Sequence, residues 1–393
     1  MSKPYLYILI ISFILTAVLT VSADNPVITG AERTEKYIPL LQGKRVGIVA
    51  NQTSIIDKTH LVDSLMTLKI NIAKIYCLEH GFRGKAEAGE TIVDQKDTKT
   101  GIQVISLYGK KKKPTSEDIK GIDIMVFDIQ DVGVRFFTYI SSMHYIMEAC
   151  AENNIPFLVL DRPNPNGFYV DGPVLNPKHS SFVGMHPVPV VHGMTIAEYA
   201  MMINGEGWLK NGIKCDLKAI KCKNYTHKTL YRVPVRPSPN LPNMTAIYLY
   251  PSLGFFEGTA VSIGRGTDFP FQVIGHPEWS DAQFSFTPVS KPGASTDPKH
   301  KNIKCFGYDL RSVGVDKIIE RKGIYLKWLI EAYNSTPDKE DFFTSFFYKL
   351  SGNSELKQKI QLGMDEELIY KSWEKGINDF MKIRKKYLLY EDF

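Results

Sequence analysis

Between positions 44 and 166, short apolar runs rich in Val and Ile alternate with stretches that carry a helical pattern. The runs lack strict alternation of polar and apolar residues, which is typical of strands buried on both faces of a parallel sheet. The runs lie at positions 46–50, 72–78, 103–107, 124–127 and 157–160. Helical stretches lie between them at 60–68 and 139–153, with a short one that begins at 114. This alternation predicts an α/β fold, a mostly parallel and doubly wound sheet with helices on both faces.

The 393 residues are enough for two domains. A passage rich in Pro and Gly at 162–193 predicts loops that line a site and a junction between domains. After it, Thr195 and Glu198 have the spacing of a capping box, which predicts the start of a helix. Short strands are expected at 246–250 and 260–263, and helical patterns dominate from about 316, in stretches at 318–333, 354–362 and 365–384. We therefore expect an N-terminal domain at 24–185 that carries loops of a site, and a C-terminal α+β domain at 186–393 that completes a cleft.

The first residues have the pattern of a secretory signal. Lys3 precedes an apolar run at 8–21, and the small residues at 21–23 fit a signal peptidase site. The run is short beside the roughly 20 residues that a membrane-spanning helix needs, and polar residues follow at once. We expect a signal peptide at 1–23, export to the periplasm or the medium, and no stable membrane insertion after cleavage. A retained membrane anchor is the alternative.

The net charge of +6 is spread along the chain, with basic clusters at 110–113 and 384–386. Aromatic residues do not interleave with these clusters, so each is interpreted as a solvated turn or helix face, and no nucleic-acid partner is expected. Mild basicity could still help to attract an acidic polymer.

The five cysteines are too few and too scattered for a disulfide framework. Cys77 and Cys150 lie in apolar patterns and are expected to be buried, whereas Cys215 and Cys222 are the pair that could bridge a hairpin. The histidines match no zinc motif, so no metal is expected. The chain also lacks a dinucleotide-binding glycine motif after its first strand, a phosphate-binding P-loop and a G-x-S-x-G nucleophile elbow. A Rossmann-like layer without its glycine motif argues against a nicotinamide cofactor.

Polar residues follow four of the predicted strands. Because ligands bind beyond the carboxyl ends of parallel strands, these loops should meet at one edge of the sheet. Ordinary turn and capping residues are the alternative for any single loop, but four loops on one side favour a binding site. The loops have the sequences NQTS at 51–54, EHGFRG at 79–84 with Glu90 beyond it, DIQDVGVR at 128–135 and DRPNPNG at 161–167.

These loops hold the groups that a glycosidase needs, an acid for the leaving oxygen and a second carboxylate. Glu79 leaves its strand directly and Glu90 follows a glycine, so either is a candidate acid. Asp128 and Asp131 are the other candidates for the second carboxylate. The alternative is that Glu79 or Asp131 pairs with Arg83 or Arg135 in a structural ion network.

Arginine has a planar fork that suits the carboxylate of an acidic sugar, and four arginines lie on these loops or further along the chain. Amide, imidazole and phenol groups suit sugar hydroxyls and faces. The predicted substrate-binding residues are Arg83, Arg135, Arg162 and Arg265 for a carboxylate, and His80, Gln130, Tyr139, Asn164, Asn166, His192 and Asn240 for the rest of the sugar.

Long motifs in this order resemble the NamZ-like exo-β-N-acetylmuramidases, a family long known as a bacterial domain of unknown function. The resemblance covers nearly the whole chain after residue 23. It is carried by GIVANQTS at 47–54, EHGFRG at 79–84 with AGE at 88–90, VFDIQDVGVR at 126–135, LDRPNPNG at 160–167, VHG at 191–193, PSPNLPN at 237–243, EGTAVSIGRGTD at 257–268 and KKYLLY at 385–390.

The resemblance implies an exo-acting hydrolase that releases β-1,4-linked N-acetylmuramic acid (MurNAc) from the non-reducing end of peptidoglycan fragments such as MurNAc-GlcNAc. It also implies a Rossmann-like N-terminal domain, a smaller C-terminal domain with the cleft between them, and no cofactor. One alternative is a non-catalytic protein that uses the same loops to bind cell-wall glycan. A wall amidase or esterase is a second alternative, disfavoured by the missing nucleophile elbow and metal motif.

Overall fold

The computed structural model of this chain describes residues 25–83 and 94–393. The predicted signal peptide at 1–23 and the candidate acid Glu90 lie outside the described residues. Within them the strands are β1 (Val46–Ala50), β2 (Ile55–Ile56), β3 (Thr59–His60), β4 (Ile72–Cys77), β5 (Gln95–Lys96), β6 (Gln103–Ser106), β7 (Ile124–Asp128), β8 (Phe157–Leu160), β9 (Leu217–Ile220), β10 (Val273–His276), β11 (Phe284–Phe286) and β12 (Cys305–Asp309).

The helices in the same residues fall into two groups along the chain. Those of the first half are α1 (Thr34–Leu41), α2 (Leu61–Thr67), α3 (Ser116–Ile119), α4 (Tyr139–Glu152) and α5 (Ile196–Gly205). Those of the second half are α6 (Met244–Leu253), α7 (Val315–Arg321), α8 (Lys327–Ser335), α9 (Phe347–Ser351), α10 (Glu355–Gln361), α11 (Glu366–Lys371) and α12 (Glu374–Arg384). Short 3₁₀ turns follow α6 and α12 at Gly254–Gly258 and Lys385–Tyr387.

Seven strands of the described chain form one sheet in the order β5-β6-β4-β1-β7-β8-β9. All neighbours are parallel except β5, which runs antiparallel to β6 at one edge. From β1 the chain builds outward through β4 and β6, and then returns to the other side of β1 with β7. The strand order therefore reverses between β1 and β7, the kind of position at which open α/β sheets bind ligands. The α/β prediction and its five strands are confirmed.

The central strands are buried because both faces of the sheet are covered. Successive residues point to opposite faces, so Ile48 packs with Tyr37 of α1 and Leu65 of α2, while Val49 belongs to the cluster that holds Met143 of α4. That second cluster continues without a break into the C-terminal helices. The packing therefore joins the sheet to the second half of the chain through one apolar core.

The capping box is confirmed, since the Thr195 side chain accepts a hydrogen bond from the backbone of Glu198 and the Glu198 side chain accepts one in return. Cys77 and Cys150 are buried as predicted, and all five cysteines, including Cys215 and Cys222, are free and buried. The predicted domain boundary between residues 185 and 186 stays a prediction. Among residues 25–83 and 94–393, no helix is long and apolar enough to cross a membrane.

The second half holds a small antiparallel sheet in the order β10-β12-β11, followed by helices. Two strand predictions here are wrong. Residues 246–250 lie in α6, because the Asn243 side chain accepts a hydrogen bond from the Ala246 amide and caps a helix. Residues 260–263 form no continuous strand, because within this segment Ser262 alone pairs with Gly275 of β10, whereas the His300 and Lys299 side chains bind the carbonyls of Ala260 and Val261.

The predicted helix at 318–333 is divided into α7 and α8. The break lies at Lys322, which has a left-handed backbone (φ 49°) and ends α7. The helical pattern at 365–384 is likewise divided into α11 and α12 around Ser372. The sequence prediction merged each pair into one helix because the apolar spacing continues across the turn between them.

Candidate active site

Glu79 lies just beyond β4 and lines a cleft of about 330 Å³. Tyr108 donates a hydrogen bond to Glu79 Oε1 at 2.8 Å, and Thr138 donates to Oε2 at 3.4 Å. Both carboxylate oxygens are therefore held by hydroxyl groups from neighbouring elements, one after β6 and one just before α4. The predicted acid lies in the cleft with a fixed orientation.

The cleft is built from both halves of the chain. Residues before position 200 supply one part of its lining, and residues after position 249 supply the rest. Its lining consists of Glu79, Tyr108, Gly109, Lys112, Phe136, Thr138, Phe182, Val183, Tyr250, Glu257, Arg265 and Phe346.

The second half of the chain brings a carboxylate of its own into the cleft. Arg265 donates two hydrogen bonds to Glu257 Oε1, at 3.1 Å from Nε and 2.6 Å from Nη2. The Arg265 guanidinium also lies 5.1 Å from the centre of the Phe271 ring. Arg265 is thus placed in the cleft as predicted, but its charge is balanced by Glu257.

Tyr250 is buried against aromatic rings at the edge of this cleft, with Phe136 at 5.2 Å and Phe271 at 4.9 Å between ring centres. Burial, followed by the negative charge of Glu257, raises the pKa of Tyr250 well above its ordinary value. The charge of Glu79 acts in the same direction. The Tyr250 hydroxyl therefore stays protonated at neutral pH and can donate a hydrogen bond into the cleft.

Two of the predicted binding residues, His80 and Tyr139, lie beside Glu79. Tyr139 Oη accepts a hydrogen bond from Asn51 at 3.0 Å and lies 3.5 Å from the Glu79 carbonyl. Its hydroxyl also lies 3.3 Å from the carbonyl of Pro237. His80 Nε2 lies 3.1 Å from the Ser238 hydroxyl. These contacts join the loop after β4 to the loop at 237–243.

The backbone of His80 has φ +70°, a left-handed conformation that is uncommon for a residue with a side chain. Strain of this kind persists only where the surroundings fix the chain, and it often occurs at functional sites. Here it turns the chain sharply just after Glu79, so that the Glu79 side chain can enter the cleft.

Asp131 is a buried carboxyl group that does not line the cleft. Its Oδ2 accepts a hydrogen bond from the Gly133 amide at 2.6 Å, and its Oδ1 has no hydrogen-bond partner among the described residues. Burial raises its pKa to about 7, although the Gly133 amide opposes this shift. Asp131 is therefore partly protonated at neutral pH, in the interior next to the site.

Asp128 and Arg162 form a closed ion pair at the ends of β7 and β8. Arg162 donates to both carboxylate oxygens, at 2.6 and 2.9 Å, and neither side chain is more than 2% exposed. Arg83 makes a similar pair with Asp97, at 2.9 and 2.8 Å. These two arginines already hold carboxylates of the protein, and no atom of either pair lines the cleft as described.

Arg135 is fully buried and faces carbonyl oxygens rather than a carboxylate. Its guanidinium donates to the carbonyls of Pro173, Val188 and Leu350, at 2.7, 2.7 and 2.8 Å. Burial lowers its pKa to about 9. In this position Arg135 fastens α9 to the loops that follow β8.

The predicted amides are not among the residues that line the cleft, and they join loops to each other. The Gln130 side chain donates to the Pro163 carbonyl at 2.7 Å, that of Asn164 to Met194 at 2.9 Å, and that of Asn166 to Val132 at 2.9 Å. Asn240 donates to the Ala294 carbonyl at 3.0 Å. All four side chains are buried and support the loops, and their part in sugar binding stays a prediction.

His192 is also buried, and its Nδ1 accepts a hydrogen bond from the Met194 amide at 3.3 Å. Burial, with a smaller effect of the positive charge of Arg384, lowers its pKa to about 3. The imidazole is therefore neutral at physiological pH. Across residues 25–83 and 94–393, no group of three or more His, Cys, Asp or Glu side chains could hold a metal ion.

Of the residues that line the cleft, sequence reasoning predicted Glu79 and Arg265, and four of those that it missed are Tyr108, Lys112, Tyr250 and Glu257. A signal existed for two of them. Tyr108 follows the predicted strand at 103–107, so it belongs to a fifth strand end that the loop argument left out. Glu257 is the first residue of the EGTAVSIGRGTD motif. Tyr250 lay in a segment predicted as a strand, and Lys112 in a run interpreted as solvated.

Comparisons with known proteins identify the class of protein to which this fold and cleft belong. Family models described as exo-β-N-acetylmuramidase NamZ match residues 46–245 with the N-terminal part and 248–390 with the C-terminal part. Proteins of this class are glycoside hydrolases. The chain belongs to the NamZ family.

Individual relatives agree with this assignment. The chain is 41% identical over 374 residues to the peptidoglycan β-N-acetylmuramidase NamZ of Bacillus subtilis, covering 90% of this chain and 89% of the relative. It is also similar to two crystal structures of DUF1343 family proteins from Bacteroides fragilis. One has a TM-score of 0.88 at 46% identity and covers 94% of this chain and 100% of its own. The other has a TM-score of 0.76 at 31% identity, with 93% and 99% covered.

Proposed function

We propose that the protein is an exo-acting glycosidase that releases MurNAc from the non-reducing end of β-1,4-linked peptidoglycan fragments such as MurNAc-GlcNAc. The observation that carries this proposal is that Glu79 and the Glu257–Arg265 pair line the same cleft. The name of the Bacillus subtilis relative supports the substrate class.

The two carboxylates have surroundings that suit different tasks. Among the described residues Glu79 accepts side-chain hydrogen bonds from the hydroxyl groups of Tyr108 and Thr138, and it is our proposed proton donor to the glycosidic oxygen. Glu257 carries a charge balanced by Arg265, and it would support water or the positive charge that develops at the anomeric carbon. The C1–O bond breaks as the proton reaches the leaving sugar, and water supplies the new hydroxyl at C1. Glu90 is the alternative for either task.

The loop at 237–243 supports exo action. It contacts the segments after β1 and β4, since Gln52 donates to the carbonyls of Arg236 and Pro237 at 3.3 Å and Ser238 contacts His80. We propose that this loop, fastened at two points beside Glu79, closes one end of the cleft. A closed end admits only the terminal sugar of a glycan, and no cofactor is needed for its hydrolysis.

Mass analysis of one incubation with MurNAc-GlcNAc tests the reaction, with free MurNAc as the expected product. A chromogenic muramide then tests the residues. We expect Glu79→Gln and Glu257→Gln each to lower kcat by about 100-fold or more, since general acid–base groups contribute about 10² to 10⁴. Glu117→Gln, at an 81% exposed side chain, is the matched control. Glu90→Gln is assayed in parallel.

Near-normal turnover in both Glu79→Gln and Glu257→Gln would overturn the assignment of the carboxylates. Binding of the disaccharide without any released sugar would instead indicate a cell-wall binding protein. A cut between the lactyl group and a peptide would indicate an amidase.

We also propose that the protein is exported to the periplasm or the medium after removal of residues 1–23. The apolar run at 8–21 and the small residues that end it support this proposal. The expected mature protein begins at Asp24, and N-terminal sequencing of the exported form tests this. Recovery of the intact chain in the membrane fraction would favour the anchor.

A further inference from the structure

Lys112 is a half-buried cation that lines the cleft. Its ammonium lies 4.0 Å from the centre of the Phe182 ring, and it forms no ion pair with a carboxylate of the described residues. The Phe182 ring stacks in turn on Tyr145, with 6.3 Å between ring centres and 10° between planes. The ring is therefore fixed, and it holds the ammonium by a cation–π contact at the wall of the cleft.

The lysines on either side of Lys112 are anchored to the protein. Lys111 pairs with Asp94 and Asp118, at 3.3 and 3.1 Å. Lys113 pairs with Glu148 and Glu152, at 2.6 and 2.7 Å. These pairs fix the backbone of the run and leave the intervening lysine in the cleft. The composition of the run suggested a solvated turn, but the structure shows that its lysines are not uniformly solvated.

Every arginine expected to bind a sugar carboxylate already has another acceptor. Arg83 holds Asp97, Arg162 holds Asp128, and Arg265 holds Glu257. Arg135 is buried against backbone carbonyls. Among the described cations of the cleft lining, Lys112 is the one whose charge is not balanced by a carboxylate.

We infer that Lys112 binds the lactyl carboxylate of MurNAc and so determines the preference for this sugar over N-acetylglucosamine, which lacks the lactyl group. The inference rests on the proposed function. A hydrogen bond between two charged groups is stronger than a neutral one, more so where protein walls exclude water. The Phe182 ring has already displaced part of the ammonium's water, so the carboxylate meets a cation that is partly desolvated and held in place.

The test compares two chromogenic glycosides, one of MurNAc and one of N-acetylglucosamine. Lys112→Met removes the charge and keeps much of the length of the side chain. We expect it to lower kcat/KM for the muramide by about 10- to 100-fold, mainly through KM, and to lower the rate on the uncharged glycoside by much less. Lys112→Arg should restore most of the preference.

Lys110→Met is the matched control, because Lys110 belongs to the same run but is exposed and does not line the cleft. It should stay within about twofold of the wild type, on the scale of ordinary surface changes. A muramide whose lactyl carboxylate is methyl-esterified should lose its advantage over the N-acetylglucosamine glycoside in the wild type. The charge of Lys112 should not favour this ester. Melting temperatures of all variants confirm that they fold.

The inference is overturned if Lys112→Met keeps the wild-type ratio between the two glycosides. If the wild type hydrolyses neither glycoside, the proposed function fails separately. Calorimetric binding of MurNAc and N-acetylglucosamine to the wild type and Lys112→Met then decides the role of Lys112. Equal loss of both sugars in the variant would contradict it.

Discussion

The hydroxyl of Tyr108 donates a hydrogen bond to Glu79 Oε1, with 2.8 Å between the two oxygens. The two residues follow the neighbouring strands β6 and β4, so the sheet itself sets the separation of their backbones. We expect Tyr108→Phe to lower kcat by about tenfold with a small change in KM, because the carboxylate loses a positioning contact. Kinetics on a chromogenic muramide measure this, with Tyr308→Phe at an exposed position as the control. An unchanged kcat would show that Glu79 needs no such contact.

Asp131 predicts a dependence of stability on pH. Burial raises its folded pKa to about 7 from an ordinary value of 3.8, so the folded state binds the proton more tightly than the unfolded chain between these values. Stability therefore falls as pH rises from about 4 to about 7. We expect Asp131→Asn to reduce this fall by roughly 1–3 kcal/mol, since one pKa unit corresponds to about 1.4 kcal/mol.

Urea unfolding at pH 5 and pH 7 measures the difference between these two conditions. Asp161, whose pKa burial also raises to about 7, leaves part of the slope in the variant. Asp281→Asn at an exposed position is the control and should keep the full slope. The same slope in Asp131→Asn would refute the assignment.

Lys299 predicts an alkaline limit to activity. Its ammonium donates to the carbonyls of Phe256, Thr259 and Val261, which flank Glu257, and burial lowers its pKa to about 8. As pH rises through 8 the amine loses a proton and keeps two donors for three carbonyls. The loop that carries Glu257 should then loosen.

We expect Lys299→Met to raise KM about fivefold, on the scale of lost positioning contacts. The variant should also lack the decline in activity that we expect in the wild type as pH rises through 8. The pH profile of kcat/KM is the measurement. Lys301→Met is the control, because Lys301 lies two residues on and contacts Asp297 at the surface. A wild-type profile in Lys299→Met would exclude this role.

Arg135 should matter for stability rather than for the choice of sugar. Its three hydrogen bonds to carbonyl oxygens are buried, and each unsatisfied carbonyl costs about 1–3 kcal/mol. We expect Arg135→Met to lower the free energy of unfolding by about 3 kcal/mol or more, as measured in urea. Arg45→Met, which removes an exposed pair with Asp123, should leave the free energy of unfolding nearly unchanged. A selective loss of muramide binding in a stable Arg135→Met would contradict this view.

The sheet could be predicted from the sequence because its strands are buried on both faces, and continuous apolar runs such as those of β1 and β8 report this burial directly. The strand prediction at 246–250 was wrong. Aromatic and β-branched residues there favour a strand, but the cap at Asn243 begins a helix. The strand propensity of these residues was outweighed by the capping hydrogen bond and by the packing on all sides of α6.

The site could be predicted only in part, for a different reason. Glu79 was identified because its position after a strand fixes where it lies. The partners of the arginines depend on tertiary contacts that spacing does not reveal, since Asp128 lies 34 residues before Arg162 and Asp97 lies 14 after Arg83. Lys112 was missed because a run of four lysines has the composition of a solvated turn.

The cleft takes Glu79 and Tyr108 from the first half of the chain and Glu257 and Arg265 from the second. A chain still emerging during synthesis, shorter than 257 residues, therefore has neither the second carboxylate nor its counter-charge. The proposed hydrolytic apparatus therefore cannot assemble until about two thirds of the chain has been made, and an enzyme aimed at the cell wall would remain inert until then.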